Sequence, residues 1–113
     1  MQARTQGTLP GEFLKSEANG RLSRERIKVA AGNALPAGQV LGKLDSGEYV
    51  AYNAAGADGS EKAVAILYAP LDASDVARPA VGIVRLAEVV GSLVAGADAA
   101  AFASLATHFV IPR

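Results

Sequence analysis

Apolar residues are unevenly spread along the chain, and their spacing predicts a series of short strands. Residues 1–20 contain four Gly or Pro residues and few branched apolar side chains, which is typical of an extended or disordered segment. From residue 22 onward, alternating or continuous apolar stretches are separated by turn residues, as in small β-rich domains. The predicted strand regions are 26–29, 40–44, 48–52, 63–69, 81–90 and 108–111.

Turn and cap residues add a hairpin and one helix to this pattern. Asp45, Ser46 and Gly47 separate two of the predicted strands and favour a hairpin. Asp98 is a suitable N-cap for a helix over 99–106, and a helix of about two turns must pack on the sheet to be stable. We therefore expect a mainly β fold, with an extended N-terminal arm over 1–21 and a β-rich domain over 22–113 that includes one short C-terminal helix.

The composition indicates a small core. Half of the 113 residues are apolar, but many are Ala, only six are aromatic and none is Trp. Ala buries little area, so neighbouring subunits are expected to complete the core. The chain has no Cys, which excludes disulfides and thiolate metal sites. It also lacks an apolar run long enough for a transmembrane helix and the h-region of a signal peptide, so we expect synthesis in the cytoplasm.

The charge is zero overall but is distributed asymmetrically. Residues 1–28 hold six basic and three acidic groups, whereas residues 29–113 hold five basic and eight acidic groups. A net charge of +3 on the first segment is compatible with a solvated tail or with an arm that docks on an acidic partner surface. The basic residues are too dispersed to predict nucleic-acid binding.

The search for reactive groups finds no catalytic constellation. His108 is the one histidine, and a lone His near the C-terminus is more typical of a surface residue than of a base or a zinc ligand. Two acidic pairs, Asp72 with Asp75 and Asp58 with Glu61, lack the spacing of a calcium loop and are interpreted as solvated turn formers. We expect no catalytic residue, metal or cofactor.

Four segments, in order, resemble the head decoration proteins of tailed bacteriophages, the lambda decoration protein-like family. They are LSRERIKVAAG at 22–32, LPAGQVLGKL at 35–44, ADGSEKAVAILY at 57–68 and AVGIVRLAEV at 80–89. The resemblance covers roughly residues 14–90. It implies a compact β-clip-like body that forms homotrimers at threefold sites of the expanded shell, on the outer surface of the virion. Its partner would be the major capsid protein, and no direct contact with nucleic acid or membrane is implied.

The resemblance also implies that the N-terminal segment contacts the capsid. The isolated apolar pair at 13–14 suggests an anchor that orders on binding. The candidate arm residues are Phe13, Leu14, Leu22, Arg24, Arg26 and Ile27. The initial segment 1–11 and the Ala-rich helix depart from the shortest members of the family.

Arg85 and Glu88 interrupt an otherwise apolar strand region. Their spacing of three favours opposite faces of a strand, which fits either two independent surface charges or pairing between subunits of a trimer. Two other functions stay open: a small ligand-binding β-clip module, suggested by LPAGQVL at 35–41, and a different virion structural protein of the tail or spike.

Overall fold

The computed structural model describes residues 11–18 and 22–112, and these form eight strands and one α-helix. The strands are β1 Leu14–Glu17, β2 Arg24–Val29, β3 Val40–Lys43, β4 Tyr49–Ala51, β5 Ala63–Leu67, β6 Arg78–Ile83, β7 Ala87–Val89 and β8 Val110–Pro112. A 3-10 helix, Gly91–Leu93, precedes the α-helix α1, Ala99–Ala106. The mainly β class with one short helix near the C-terminus is confirmed.

Five strands close into a barrel with the order β2-β4-β3-β5-β6. β2 lies antiparallel to β6 over its whole length, from Arg24 opposite Ile83 to Val29 opposite Arg78. β3 and β4 form the predicted hairpin, and Gly47 in its turn has a φ of 96°, a conformation that favours Gly. β2 joins the parallel strand β4 at a single register position, so the barrel closes over a short contact.

The other three strands form a separate sheet with the order β1-β7-β8. β1 runs antiparallel to β7, and β8 runs parallel to β7 on its other edge. The structure thus differs from the expectation of an extended arm up to residue 21, because 14–17 is a strand of the folded body. The physical reason is Phe13, which is fully buried in the core.

The apolar segment 81–90 forms two strands instead of one. β6 ends at Ile83 and β7 begins at Ala87, and between them Leu86 has a φ of 55° that no regular strand accommodates. Gly82 in β6 packs closely against Ile27 of β2, since a Cβ at this position would lie 3.0 Å from Cδ1 of Ile27.

The buried residues form two clusters. The first lies between the barrel, the three-stranded sheet and α1, and includes Phe13, Ile66 and Leu105. The second contains Ile27, Leu41 and other residues of the barrel strands. Asp98 caps α1 as predicted, since its side chain accepts a hydrogen bond from the backbone N–H of Ala101 at 2.8 Å.

Candidate functional site

The residues 11–18 are anchored to the body at several points. The backbone N–H of Val90 donates to the carbonyl of Phe13 at 2.7 Å, and the N–H of Gly11 donates to the carbonyl of Tyr68 at 3.1 Å. Leu14, the second expected anchor, is half-buried and packs against the first core cluster. The apolar pair at 13–14 is therefore an anchor, and the partner it contacts in this structure is the chain's own core.

An ion pair fixes β1 to β2. Arg24 donates from Nη2 to Oε1 of Glu17 at 2.6 Å and from Nε to Oε2 at 3.0 Å, a two-point contact with one carboxylate. The hydrogen bonds that Arg24 donates to Glu17 raise the pKa of Arg24 above its ordinary value, although burial opposes the shift. The guanidinium also lies 4.3 Å from the centre of the Tyr68 ring.

The remaining candidate arm residues differ in their accessibility. Ile27 is buried in the barrel, whereas Arg26 is exposed on the same strand. Leu22 is 58% exposed, and it directly follows 19–21, which lie outside the described residues, as do 1–10. Leu22 and Arg26 therefore have solvent-accessible side chains, while Ile27 contributes to the fold.

Arg85 and Glu88 have different hydrogen-bond partners within the chain. Arg85 donates from Nη2 to Glu25 Oε2 at 3.1 Å and from Nη1 to the carbonyl of Leu22 at 2.7 Å. Oε1 of Glu88 accepts from Oγ of Ser16 at 2.8 Å, which joins β7 to β1. Both side chains thus have contacts within the chain, and Arg85 is the more solvent-exposed of the two residues.

Sequence reasoning missed an exposed apolar patch at one end of the barrel. Leu22, Leu86 and Phe109 are 58%, 45% and 65% exposed, and we call them the Phe109 patch. The hydrogen bond from Arg85 to the carbonyl of Leu22 holds Leu22 beside Leu86, which follows Arg85 in the chain. The N–H of Ala87 donates to the carbonyl of Phe109 at 3.0 Å, and this bond brings Leu86 close to Phe109. No periodicity marks these residues, because they lie in connections and not within regular elements.

An open cavity of about 440 Å³ adjoins this patch. Its walls combine the apolar side chains of Val64 and Val84 with Lys43 and with the ion pair between Arg85 and Glu25. Tyr49 also lines the cavity, and burial, followed by the nearby Glu25 carboxylate, raises the pKa of its hydroxyl. His108 lines the same cavity, next to Phe109.

The described residues contain no cluster of three or more His, Cys, Asp or Glu side chains that could hold a metal ion. Asp58 is occupied within its own turn, where Oδ1 accepts from the N–H and the Oγ of Ser60 at 3.1 and 2.6 Å. Over the same part of the chain, none of the helices has the length and apolar character needed to cross a membrane.

Comparison with known proteins identifies one family. Its model is described as bacteriophage lambda head decoration protein D, and it matches residues 3–110. A search of the curated proteins found no match. Because the family model spans nearly the whole chain, this protein belongs to the family of bacteriophage lambda head decoration protein D.

Proposed function

We propose that this protein decorates and cements the head of a tailed bacteriophage. In this proposal it binds the outer surface of the expanded capsid as a homotrimer at threefold sites. A partner that binds only the expanded shell stabilises that state by mass action, and many copies together resist the pressure of the packaged DNA. The observation that carries the proposal is the family match over residues 3–110.

The N-terminal segment is proposed to contact the major capsid protein. Residues 1–10 precede an anchored strand and carry a basic residue, Arg4, and the apolar residue Leu9. Leu22 and Arg26, before and within β2, supply further accessible side chains. An extended segment of this kind can add a strand to an exposed sheet edge of the capsid protein.

The trimer interface is proposed to include Arg85 and Glu88. Arg85 has the stronger support, because it lines the cavity beside the Phe109 patch and is substantially exposed. Glu88 would extend the same interface along β7. The body, and not the N-terminal segment, then mediates contacts between subunits.

The position of Phe13 determines how the capsid contact should be tested. Deleting residues 1–21 would remove a fully buried aromatic residue and β1, so the body itself would be destabilised. Deleting residues 1–10 instead leaves Phe13 and β1 in place. We expect this shorter deletion to keep the free energy of unfolding within about 0.5 kcal/mol of that of the full chain while it weakens binding to expanded shells.

A second variant replaces Arg4 and Leu9 by Ala in the full-length chain, which keeps the segment's length but removes its charge and main apolar side chain. We expect this variant also to bind shells more weakly. Full-affinity binding by the chain that lacks 1–10 would show that the capsid contact lies elsewhere on the protein.

A further inference from the structure

The described chain enters the folded body through a turn at Gly11 that two hydrogen bonds fix. Gly11 has a φ of 70°, in the left-handed region that favours Gly, and its carbonyl accepts from the N–H of Leu14 at 3.0 Å. Its own N–H donates to the carbonyl of Tyr68, which directly follows β5. The chain is therefore held two residues before Phe13, the residue that buries this segment in the core.

The ring of Tyr68 packs against the backbone of Gly11. A Cβ at Gly11 would lie 3.0 Å from Cε1 and 3.2 Å from Oη of Tyr68, closer than such atoms normally approach, so this contact requires Gly. The same ring has the Arg24 guanidinium 4.3 Å from its centre, and Arg24 makes its two-point contact with Glu17 of β1. We call Gly11, Glu17, Arg24 and Tyr68 the Tyr68 clamp, because parts of the chain that are distant in sequence meet at this ring.

The other end of this segment is held by a buried hydroxyl. The Oγ of Ser23 accepts from the N–H of Ala18 at 2.9 Å and donates to the carbonyl of Leu86 at 2.8 Å. Ser23 is fully buried, and hydrogen bonds are electrostatically stronger where water is excluded. Residues 11–18 are thus part of the body, and residues 1–10 start from a fixed point.

The Tyr68 clamp contributes more to the direction of the chain than to the core. Phe13 already anchors the segment by apolar burial, and the contact between Gly11 and Tyr68 lies upstream of it. Arg24 and Glu17 have 37% and 23% of their side chains exposed, and solvent screening leaves such a pair little effect on stability. A planar guanidinium that contacts a carboxylate and an aromatic ring has, in contrast, a defined orientation. The arrangement therefore suits a positioning role.

The fixed position of Gly11 also limits the reach of the N-terminal segment. Residues 1–10 span at most about 36 Å when fully extended, whereas the arm over 1–21 expected from the sequence would span about twice that distance. The described body measures 45 × 32 × 28 Å, so residues 1–10 cannot extend along its whole long dimension. A short segment with a fixed starting point loses less conformational entropy on binding than a long, loosely attached one.

We propose that Tyr68, supported by Arg24, is a positioning residue for capsid binding. It holds Gly11 so that residues 1–10 leave the body at one place and in one direction, which pre-organises them for the major capsid protein. Neither side chain needs to touch the capsid for this role. The inference rests on the proposed contact between residues 1–10 and the shell, and it gives Tyr68 and Arg24 a role that is separate from that contact.

Amide hydrogen exchange, measured by NMR on the free protein, tests whether the clamp holds Gly11 in solution. Tyr68→Leu keeps an apolar side chain on the core but removes the ring that contacts Gly11 and Arg24. We expect exchange of the Gly11 N–H to accelerate by roughly tenfold or more, with a much smaller change at the N–H of Val90, which donates to Phe13. Unchanged exchange at Gly11, or equal acceleration at Gly11 and Val90, overturns the proposal.

Binding to expanded shells tests the positioning role itself. A Gly-Gly insertion between residues 10 and 11 leaves the clamp and the N-terminal segment unchanged but separates one from the other. We expect the insertion and Tyr68→Leu each to weaken shell binding by roughly three- to tenfold. The two changes together should weaken it no further, because both uncouple the same segment from the body.

Two variants control for the fold and for the ring. Tyr68→Phe keeps the aromatic ring and is expected to match the natural chain in exchange at Gly11 and in shell binding. Tyr52→Leu removes a tyrosine that packs on the same core cluster but donates to Asp98, and it is expected to bind shells like the natural chain. A loss of shell binding in Tyr52→Leu equal to that in Tyr68→Leu would show general destabilisation and would overturn the positioning role.

The readouts separate this inference from the proposed function. Full-affinity shell binding by the insertion variant overturns the positioning role while the decoration role stands, and weak binding by Tyr68→Leu alone would then make Tyr68 a direct capsid contact. If the natural chain binds no shells, the decoration role fails and the positioning role fails with it, whereas the exchange at Gly11 still shows whether the clamp forms.

Discussion

Glu17 and Arg24 form a two-point ion pair that fixes the first strand to the barrel, with contacts of 2.6 and 3.0 Å. The guanidinium is planar, so it can engage both carboxylate oxygens while it stacks on Tyr68, and an ammonium group cannot reproduce this. The pair is partly exposed, with 37% and 23% of the two side chains accessible, so solvent screening reduces its contribution.

Arg24→Lys is expected to lower the free energy of unfolding by up to about 1 kcal/mol. Denaturant titration at low and high salt measures the effect, which should shrink as salt screens the pair. Arg26→Lys on the exposed face of the same strand is the matched control. An equal loss of unfolding free energy in Arg24→Lys and Arg26→Lys would show that the contact with Glu17 does not stabilise the fold.

Phe13→Ala is expected to destabilise the fold by about 3–5 kcal/mol, because it leaves a cavity in the core next to β7. Lys15→Ala, on the same strand but exposed, should change stability by no more than about 0.5 kcal/mol. Thermal and denaturant unfolding provide the comparison. A stable Phe13→Ala variant that no longer binds shells would instead make Phe13 a capsid contact.

Arg78→Lys is expected to destabilise the barrel end that carries the connection 72–76 between β5 and β6. Arg78 is 9% exposed, and its guanidinium donates to three carbonyls, which a Lys side chain cannot all reach. Each buried acceptor left unsatisfied costs about 1–3 kcal/mol. Hydrogen exchange at Ser74 and Val76 should accelerate more than exchange at the N–H of Ala101 on α1, and uniform acceleration would contradict a local role.

Asp58 should make stability depend on pH in the acid range. Hydrogen bonds from Ser60 lower the pKa of Asp58 below its usual value of 3.8. Because the folded pKa is the lower one, this stabilisation is present above the unfolded value and is lost as the pH falls through the folded pKa. Asp58→Asn should therefore be less stable than the natural chain at pH 6.

The difference in the free energy of unfolding between Asp58→Asn and the natural chain should shrink below a pH of about 3.8. Denaturant unfolding between pH 2 and 6 measures it, with Asp45→Asn in the exposed hairpin turn as the control. A difference that stays constant over this range would contradict the assignment to the Asp58 carboxylate.

Local patterns were sufficient to predict much of the fold. Alternation in 26–29, the Asp45–Gly47 turn and the Asp98 cap depend on interactions between near neighbours, and the corresponding strand, hairpin and helix are present. The barrel closure and the pairing of β1 with β7 depend on contacts between distant residues, which periodicity does not encode. The β-clip description of the body stays a prediction.

The candidate site was less predictable. A hydrophobic pair in a Gly- and Pro-containing segment gives the same sequence pattern whether it anchors on its own core or on a partner, and only the fold places Phe13 inside. Leu86 and Phe109 carry no local signal for positive φ, because residues that adopt it readily are Gly or Asn. Both residues are exposed because they lie in connections, Leu86 between β6 and β7 and Phe109 between α1 and β8.

Co-sedimentation of the purified protein with unexpanded and expanded heads of the encoding phage tests the central claim most directly. The decoration role predicts saturable binding to expanded shells alone, at one trimer for each threefold site. Equal binding to both shells, or to neither, would contradict it, and would return attention to a ligand-binding module or to another structural role in the virion.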